Sequence, residues 1–377
     1  MADPATRRVV VGAAIIRHGR LLAARRATPE ALARRWELPG GKMRAGEDAA
    51  AAAVREVREE LGCEIEVTGH LEGEQPVRED LVLRVVLAGL VSGEPTPSEH
   101  DIVHWVGPEQ LDGLAWLAPD LPFLPALREL LLDGERLAGG HLGGAVRIGR
   151  TVRRATGPWT PSVHALLDHV AHRGLACAPR VLGTDVRGRE VLSYLPGRVV
   201  DVDHELMSEG QLVALADWAR RMHGCVRDFA ATGPWRFWDV EHPELVAHND
   251  LAPYNICFEG DHLVGVFDWD LAGPSTPLME LSHLAWNCVP LFRRIDPGLA
   301  ARRLEVLASS YAGPSAREIL RAVPVRTRVA IDGIRAEIAA GSTDFAILAA
   351  LGEPERTEAC LADLTTRIPS IERELSD

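Results

Sequence analysis

Residues 41–63 read GKMRAGEDAAAAAVREVREELGC. From Glu47 to Leu61 this stretch is rich in Ala, Glu and Arg and holds no Gly or Pro, so it predicts a helix with Gly62 as a natural stop. Inside it, Arg55-Glu56-Val57-Arg58-Glu59-Glu60 sets three carboxylates at i, i+3 and i+4, on one helix face. Like charges so placed repel. They become tolerable where hard divalent cations sit among them, since Mg²⁺ and Mn²⁺ prefer oxygen ligands. Taken alone, the run also fits a solvated acidic face.

Around that helix, strands and helices alternate. Arg8 to Ile16 is a buried strand, His18-Gly19 a turn and Leu21 to Ala24 a second strand. Pro39-Gly40-Gly41 breaks the pattern, and the turn lets backbone approach the carboxylates. Cys63 to Val67 and Leu81 to Leu90 are strand-like, and Pro122 to Leu132 closes the segment as a helix. Gly139, Gly140, Gly143 and Gly144 then cluster, which puts a domain boundary near residue 135 and predicts domains over 5–135 and 136–377.

The chain has 377 residues, enough for two or three domains. Its formal charge of −13 argues against a nucleic-acid partner held by broad phosphate neutralisation. No apolar run approaches a membrane span, and the N-terminal residues lack a signal-peptide layout. Six scattered cysteines without a CxxC pair predict reduced thiols in a cytoplasmic protein. Lysine occurs once, at Lys42, so any other site that would use Lys must use Arg.

The full spacing from Gly41 through Glu47, Arg55-Glu56, Glu59-Glu60 and Gly62 is the complete Nudix box, and this region resembles the Nudix hydrolases. Trp36-Glu37-Leu38-Pro39-Gly40-Gly41-Lys42 is similar to the MutT-type nucleoside-triphosphate pyrophosphohydrolases. The resemblance implies an α/β/α sandwich around a mixed sheet, and attack of a metal-activated water on a phosphate of a nucleoside diphosphate linked to a further group. By carry-over, Glu56, Glu59 and Glu60 with the Gly40 carbonyl hold the ions, Mg²⁺ or Mn²⁺. Arg55 orients the glutamates and Glu47 supports them. Arg26, Leu38 and Lys42 are expected at the substrate, and Glu99 is expected as an extra base or ligand from its loop. Asp120 sits where related enzymes place a base-reading residue, and an N-cap of the following turn is its other reading.

The second part starts with short strands at Ala145 to Ile148, Thr151 to Arg154 and Glu190 to Tyr194, then turns mostly helical. His248-Asn249-Asp250-Leu251-Ala252-Pro253-Tyr254-Asn255 precedes an apolar strand that ends at Asp268. Phosphoryl transfer needs a base for the acceptor hydroxyl and an oxygen cage for Mg²⁺, and this spacing supplies both. The half resembles the aminoglycoside phosphotransferase family, a kinase-like fold of a small β-rich lobe and a large helical lobe. The resemblance makes Asp250 the general base and Asn255 and Asp268 the Mg²⁺ ligands, with His248 as support. Gly140 and Gly143 fall in the glycine loop, and Leu195-Pro196-Gly197 is the hinge beside the nucleotide base.

Three positions depart from that pattern. The phosphate-holding Lys falls near Arg153-Arg154, and its helix Glu partner falls near His164 and Asp168. Glu280 stands where the family usually shows Asp.

The fold class expected is therefore α/β plus α+β in two domains. The expected activities are cleavage of nucleoside triphosphates, oxidised or modified ones included, to a monophosphate and pyrophosphate, and transfer of phosphate from ATP or GTP to a small-molecule hydroxyl. The alternatives are an idle nucleotide- or ligand-binding second domain, and a first domain that cleaves ADP-ribose-type conjugates.

Overall fold

Strand β1, Arg8–Arg17, turns Val11, Ala13 and Ile15 to one apolar cluster and Val10, Ala14 and Ile16 to another. That period of two is what a strand covered on both faces requires. The computed structural model of the chain describes residues 7–137, 144–201, 204–230, 232–236 and 240–376. The chain divides into two compact units, Met1–Leu137 with Val146–Thr151, and Ala138–Ala145 with Val152–Asp377.

In the first unit β1 is followed by β2 (Arg20–Arg26), β3 (Trp36–Glu37), β4 (Gly40–Lys42), α1 (Ala49–Leu61), β5 (Glu64–His70), β6 (Gln75–Arg78), β7 (Leu81–Ser92), β8 (His100–Val106) and α2 (Leu124–Asp133). These strands form one sheet in the order β3-β2-β1-β7-β5, with β4 beside β1, β6 beside β7 and β8 beside β2. The β1–β7 pair is parallel and the others are antiparallel, so the sheet is mixed. Helix α1 covers one face through Ala52, Ala53, Val57 and Leu61. Helix α2 covers the other through Leu124, Leu127 and Leu131. The result is the expected α/β/α sandwich. Helix α1 starts at Ala49 and not at Glu47, because the Asp48 side chain accepts from the Ala51 amide at 2.8 Å. Glu47 stays outside the helix, where its carboxylate can turn back.

The short strand expected at Ala145 to Ile148 forms over Val146–Ile148 (β10), and it pairs with Glu135–Arg136 (β9).

The second unit runs β11 (Thr151–Arg154), α3 (Thr160–His172), β12 (Val181–Thr184), β13 (Glu190–Ser193), β14 (Arg198–Val199), α4 (Glu209–Cys225), β15 (Leu245–Ala247), β16 (Ile256–Glu259), β17 (His262–Val266), β18 (Gly273–Ser275) and α5 (Pro277–Cys288). It ends in α6 (Pro297–Tyr311), α7 (Ala316–Ala339), α8 (Thr343–Ala350) and α9 (Glu355–Glu374). Strand β13 lies between β11 and β12. A single apolar cluster joins α3 through α7 and α9, with fully buried Trp218 and Trp269 edge to face at 6.1 Å. Among the described residues no helix is long and apolar enough to cross a membrane.

Candidate active sites

In the first unit, the close approach of the β4 turn to α1 builds the site. Gly40 has φ +147°, and a Cβ there would lie 2.0 Å from the Val11 carbonyl oxygen. A Cβ on Gly41 would lie 2.5 Å from the Glu56 carboxyl carbon. Only glycine fits at position 40, where a Cβ would run into the β1 backbone; at position 41 the neighbour is the end of the Glu56 side chain. The Gly40 amide donates to Glu60 at 3.1 Å.

Arg55 organises the acids. Its guanidinium donates to Glu47 at 2.7 and 2.9 Å, to Glu56 at 2.7 Å, to Glu59 at 3.4 Å and to the Lys42 carbonyl at 3.2 Å. Arg44 adds contacts to Glu59 at 3.3 and 3.4 Å. The hydrogen bonds from Arg55 and from the Arg44 amide hold the Glu47 carboxyl down to about 2. Among the described residues no group of three or more His, Cys, Asp or Glu side chains forms a ready metal cage. Arg55 spreads three of the four glutamates around itself. The donors nonetheless fit a hard, water-rich cation. They are all oxygen, they carry more negative charge than Arg55 neutralises, and such an ion needs only one or two carboxylates plus substrate phosphates.

Below this surface runs a chain that sequence reasoning did not find. Arg26 donates to Glu37 at 2.7 Å, and Glu37 meets His100 Nε2 at 3.0 Å. Burial, with help from the nearby Glu37 and Glu56 charges, pushes the Glu60 carboxyl up to about 7 against the pull of His100 and the Gly40 amide. Arg26 is thus tied to Glu37, while the exposed Lys42 side chain has no ion pair among the described residues. Glu99 is exposed just before β8, and its neighbour His100 is the residue that turns inward. The sequence signals for the buried chain were Arg26 as a substrate-side candidate and Glu37 inside the Trp36–Lys42 motif, with nothing to link them to His100.

Asp120 is 4% exposed and accepts from the Leu38 amide at 3.2 Å. It precedes a short turn, Leu121–Phe123, but its side chain makes no capping bond, so the cap reading is set aside. Burial pushes its carboxyl up to about 7, opposed by the Leu38 hydrogen bond. Because that lies above the ordinary 3.8, its contribution to stability is full below about pH 4 and is lost as pH rises through 7. Asp120→Asn is therefore expected to shrink the fall in Tm between pH 5 and pH 8. An unchanged fall, measured by thermal denaturation, counts against this assignment.

In the second unit, the loop after β15 presents Asp250. Its carboxylate takes hydrogen bonds from Asn255 Nδ2 at 2.7 Å and Tyr254 Oη at 3.2 Å, and meets His283 Nε2 at 3.1 Å. Burial pushes the Asp250 carboxyl up, but the His283 bond and the charges of His283, His248 and Arg326 outweigh it and hold it below the usual range. His248 accepts from the Asp250 amide at 3.2 Å and donates to the Phe267 carbonyl at 3.1 Å, linking the loop to the strand that carries Asp268. Trp269, stacked edge to face on His248 at 4.8 Å, serves packing.

The three departures resolve differently. Arg154 is the buried cation of β11. It reaches Asp268 at 2.7 Å, Asp270 at 2.8 Å and Glu190 at 3.6 Å. Burial disfavours its charge, yet those three carboxylates hold its proton more tightly than usual. The acid expected from the helix comes instead from β13: Glu190 meets His164 at 2.8 Å, whereas Asp168 faces solvent. Glu280 is fully buried. It accepts from the Asn249 amide at 2.7 Å and pairs with His223 at 2.5 Å, so it anchors the loop that carries Asp250. Pro196 is exposed between β13 and β14. Gly140 and Gly143 lie outside the described residues. Asn255 and Asp268 offer oxygen donors that fit Mg²⁺, with Arg154 sharing Asp268.

The NUDIX domain family matches residues 6–127, and the phosphotransferase enzyme family matches residues 227–319. The trifolitoxin immunity protein of Rhizobium leguminosarum bv. trifolii is 35% identical over 174 residues, 44% of this chain, and the chain spans 65% of that relative's length. A Mycobacterium tuberculosis protein provisionally named 8-oxo-dGTP diphosphatase 2 is 37% identical over 126 residues, covering 33% of this chain and 89% of the relative. The CTP pyrophosphohydrolase of Escherichia coli is 32% identical over 123 residues, covering 32% and 91%.

Proposed function

The chain belongs to the NUDIX family through its first domain and carries a phosphotransferase-family domain behind it; on that premise we propose a bifunctional cytoplasmic enzyme, a Mg²⁺-dependent nucleoside-triphosphate pyrophosphohydrolase joined to a small-molecule phosphotransferase. One observation carries the first half: three glutamates, Glu47, Glu56 and Glu59, gathered by Arg55 of α1, with a fourth, Glu60, held by the amide of Gly40, a position where no side chain fits. Glu56, Glu59 and Glu60 would hold the ion, Mg²⁺ or Mn²⁺. When bound it lowers the pKa of water and neutralises phosphate charge. Arg55 keeps Glu47, Glu56 and Glu59 aimed, and Lys42 is available to the phosphates. A buried Asp120 titrating near 7 can donate to or accept from a base edge, which supports recognition of an altered base. The names of the two diphosphate-cleaving relatives support a triphosphate substrate, with 8-oxo-dGTP, dCTP and CTP the first to try.

In the second domain, Asp250 would accept the proton of the acceptor hydroxyl. Asn255 and Asp268 would hold Mg²⁺, and Arg154 would meet the phosphates of ATP or GTP where a Lys is usual. Free cysteines throughout the described residues are consistent with a reducing compartment. The immunity protein among the relatives favours a toxic compound as acceptor.

Product identification by ³¹P spectroscopy tests the first activity. Triphosphates with Mg²⁺ are expected to give the monophosphate and pyrophosphate. Turnover of ADP-ribose alone, giving two monophosphates, overturns the triphosphate reading in favour of conjugate cleavage.

A further inference from the structure

Beside Asp250 the second unit opens a cleft of about 190 Å³. Its inner end is wired to the base: Tyr254 donates to Asp250, and Asn287 Nδ2 lies 3.1 Å from the His283 Nε2 that meets Asp250. Its walls are aromatic. Trp286 and Phe292 stand with ring centroids 6.2 Å apart, and Tyr254 is 43% exposed beside them. Its charges come from the start of α9. The one lining carboxylate, Glu353, already accepts from the Thr357 amide at 3.2 Å and hydroxyl at 2.6 Å. Arg356 is exposed, and its guanidinium has no ion pair among the described residues.

We propose that this cleft receives the phosphoryl acceptor, and that the acceptor is a compact ring-bearing alcohol with an anionic group rather than a polycation. The proposal rests on the phosphotransferase reading and names its substrate class. A polyamine would need several unsatisfied carboxylates, and the cleft offers one, already engaged, beside an unpaired cation. Aromatic walls suit a flat apolar ring, and the hydroxyl edge of that ring would point to Asp250. The volume is below the roughly 300–1,000 Å³ of pockets for drug-sized ligands, so one substituted ring is favoured over a multi-ring sugar. In the transfer, the acceptor O–H loses its proton to Asp250 and its oxygen bonds to the γ-phosphorus. The bond from that phosphorus to the β-phosphate bridging oxygen breaks, and the nucleoside diphosphate leaves.

Two probes test this by calorimetry on the full chain without nucleotide: 4-(hydroxymethyl)benzoate and 4-(hydroxymethyl)benzylamine. Wild type is expected to bind the carboxylate and to disfavour the amine. Arg356→Glu, an exposed change that leaves the core untouched, is expected to weaken the carboxylate by at least about tenfold, one charge-assisted contact, and to reverse the preference. Equal or better binding of the amine by wild type, no binding of either, or no effect of Arg356→Glu overturns the proposal. Phosphate transfer to the bound carboxylate probe from Mg·ATP or Mg·GTP is scored separately. Binding without transfer leaves the cleft assignment standing and sinks the phosphotransferase reading.

Discussion

Glu59→Gln is expected to lower triphosphate hydrolysis by about a thousandfold while leaving the fold intact, a loss of the size expected when a metal-holding or proton-accepting carboxylate goes. The side chain of Glu59 is half exposed, and its contacts to Arg44 and Arg55 are long, 3.3 to 3.4 Å. Exposed pairs of this kind contribute little to stability, about 0–1 kcal/mol. The apolar face of α1 lies elsewhere, at Ala52, Ala53, Val57 and Leu61. The expected signature is therefore a large fall in kcat with a Tm close to wild type. Turnover near wild type would show that the chemistry does not use Glu59.

Asp250→Asn is expected to lower phosphate transfer by about a hundred- to ten-thousandfold, the range for a missing general base, and to leave triphosphate hydrolysis unchanged. Asn cannot take the acceptor proton. It also sets one amide against another, because Asn255 Nδ2 donates to that carboxylate at 2.7 Å. The buried donor then loses its partner, at about 1–3 kcal/mol, so some loss of Tm accompanies the loss of activity. Asp250→Glu separates the two effects: it keeps a base, and partial transfer is expected to return. Transfer by Asp250→Asn at the wild-type rate would remove Asp250 from the chemistry.

The sandwich was legible because its signals are local. Alternation along Arg8 to Ile16, an Ala-rich helix with Gly62 behind it, and carboxylates at i, i+3 and i+4 each follow from short-range geometry. The Asp250, Asn255 and Asp268 spacing was readable for the same reason. What escaped was long-range. His283 meets Asp250 from 33 residues away and Glu190 meets Arg154 from another strand, with no motif linking either pair. The Arg26–Glu37–His100 chain depends on strand register: Arg26 pairs with His100 across β2 and β8, which a list of motifs does not contain.

In the proposed function the glutamates of α1 gather to hold a divalent cation. Titrating Mn²⁺ into the full chain, with binding followed by electron paramagnetic resonance, tests it most directly. Wild type is expected to bind, and Glu56→Gln and Glu59→Gln each to weaken that binding by about ten- to a hundredfold, the range seen when carboxylate support of a metal is lost. Identical Mn²⁺ affinity in all three proteins would contradict the account.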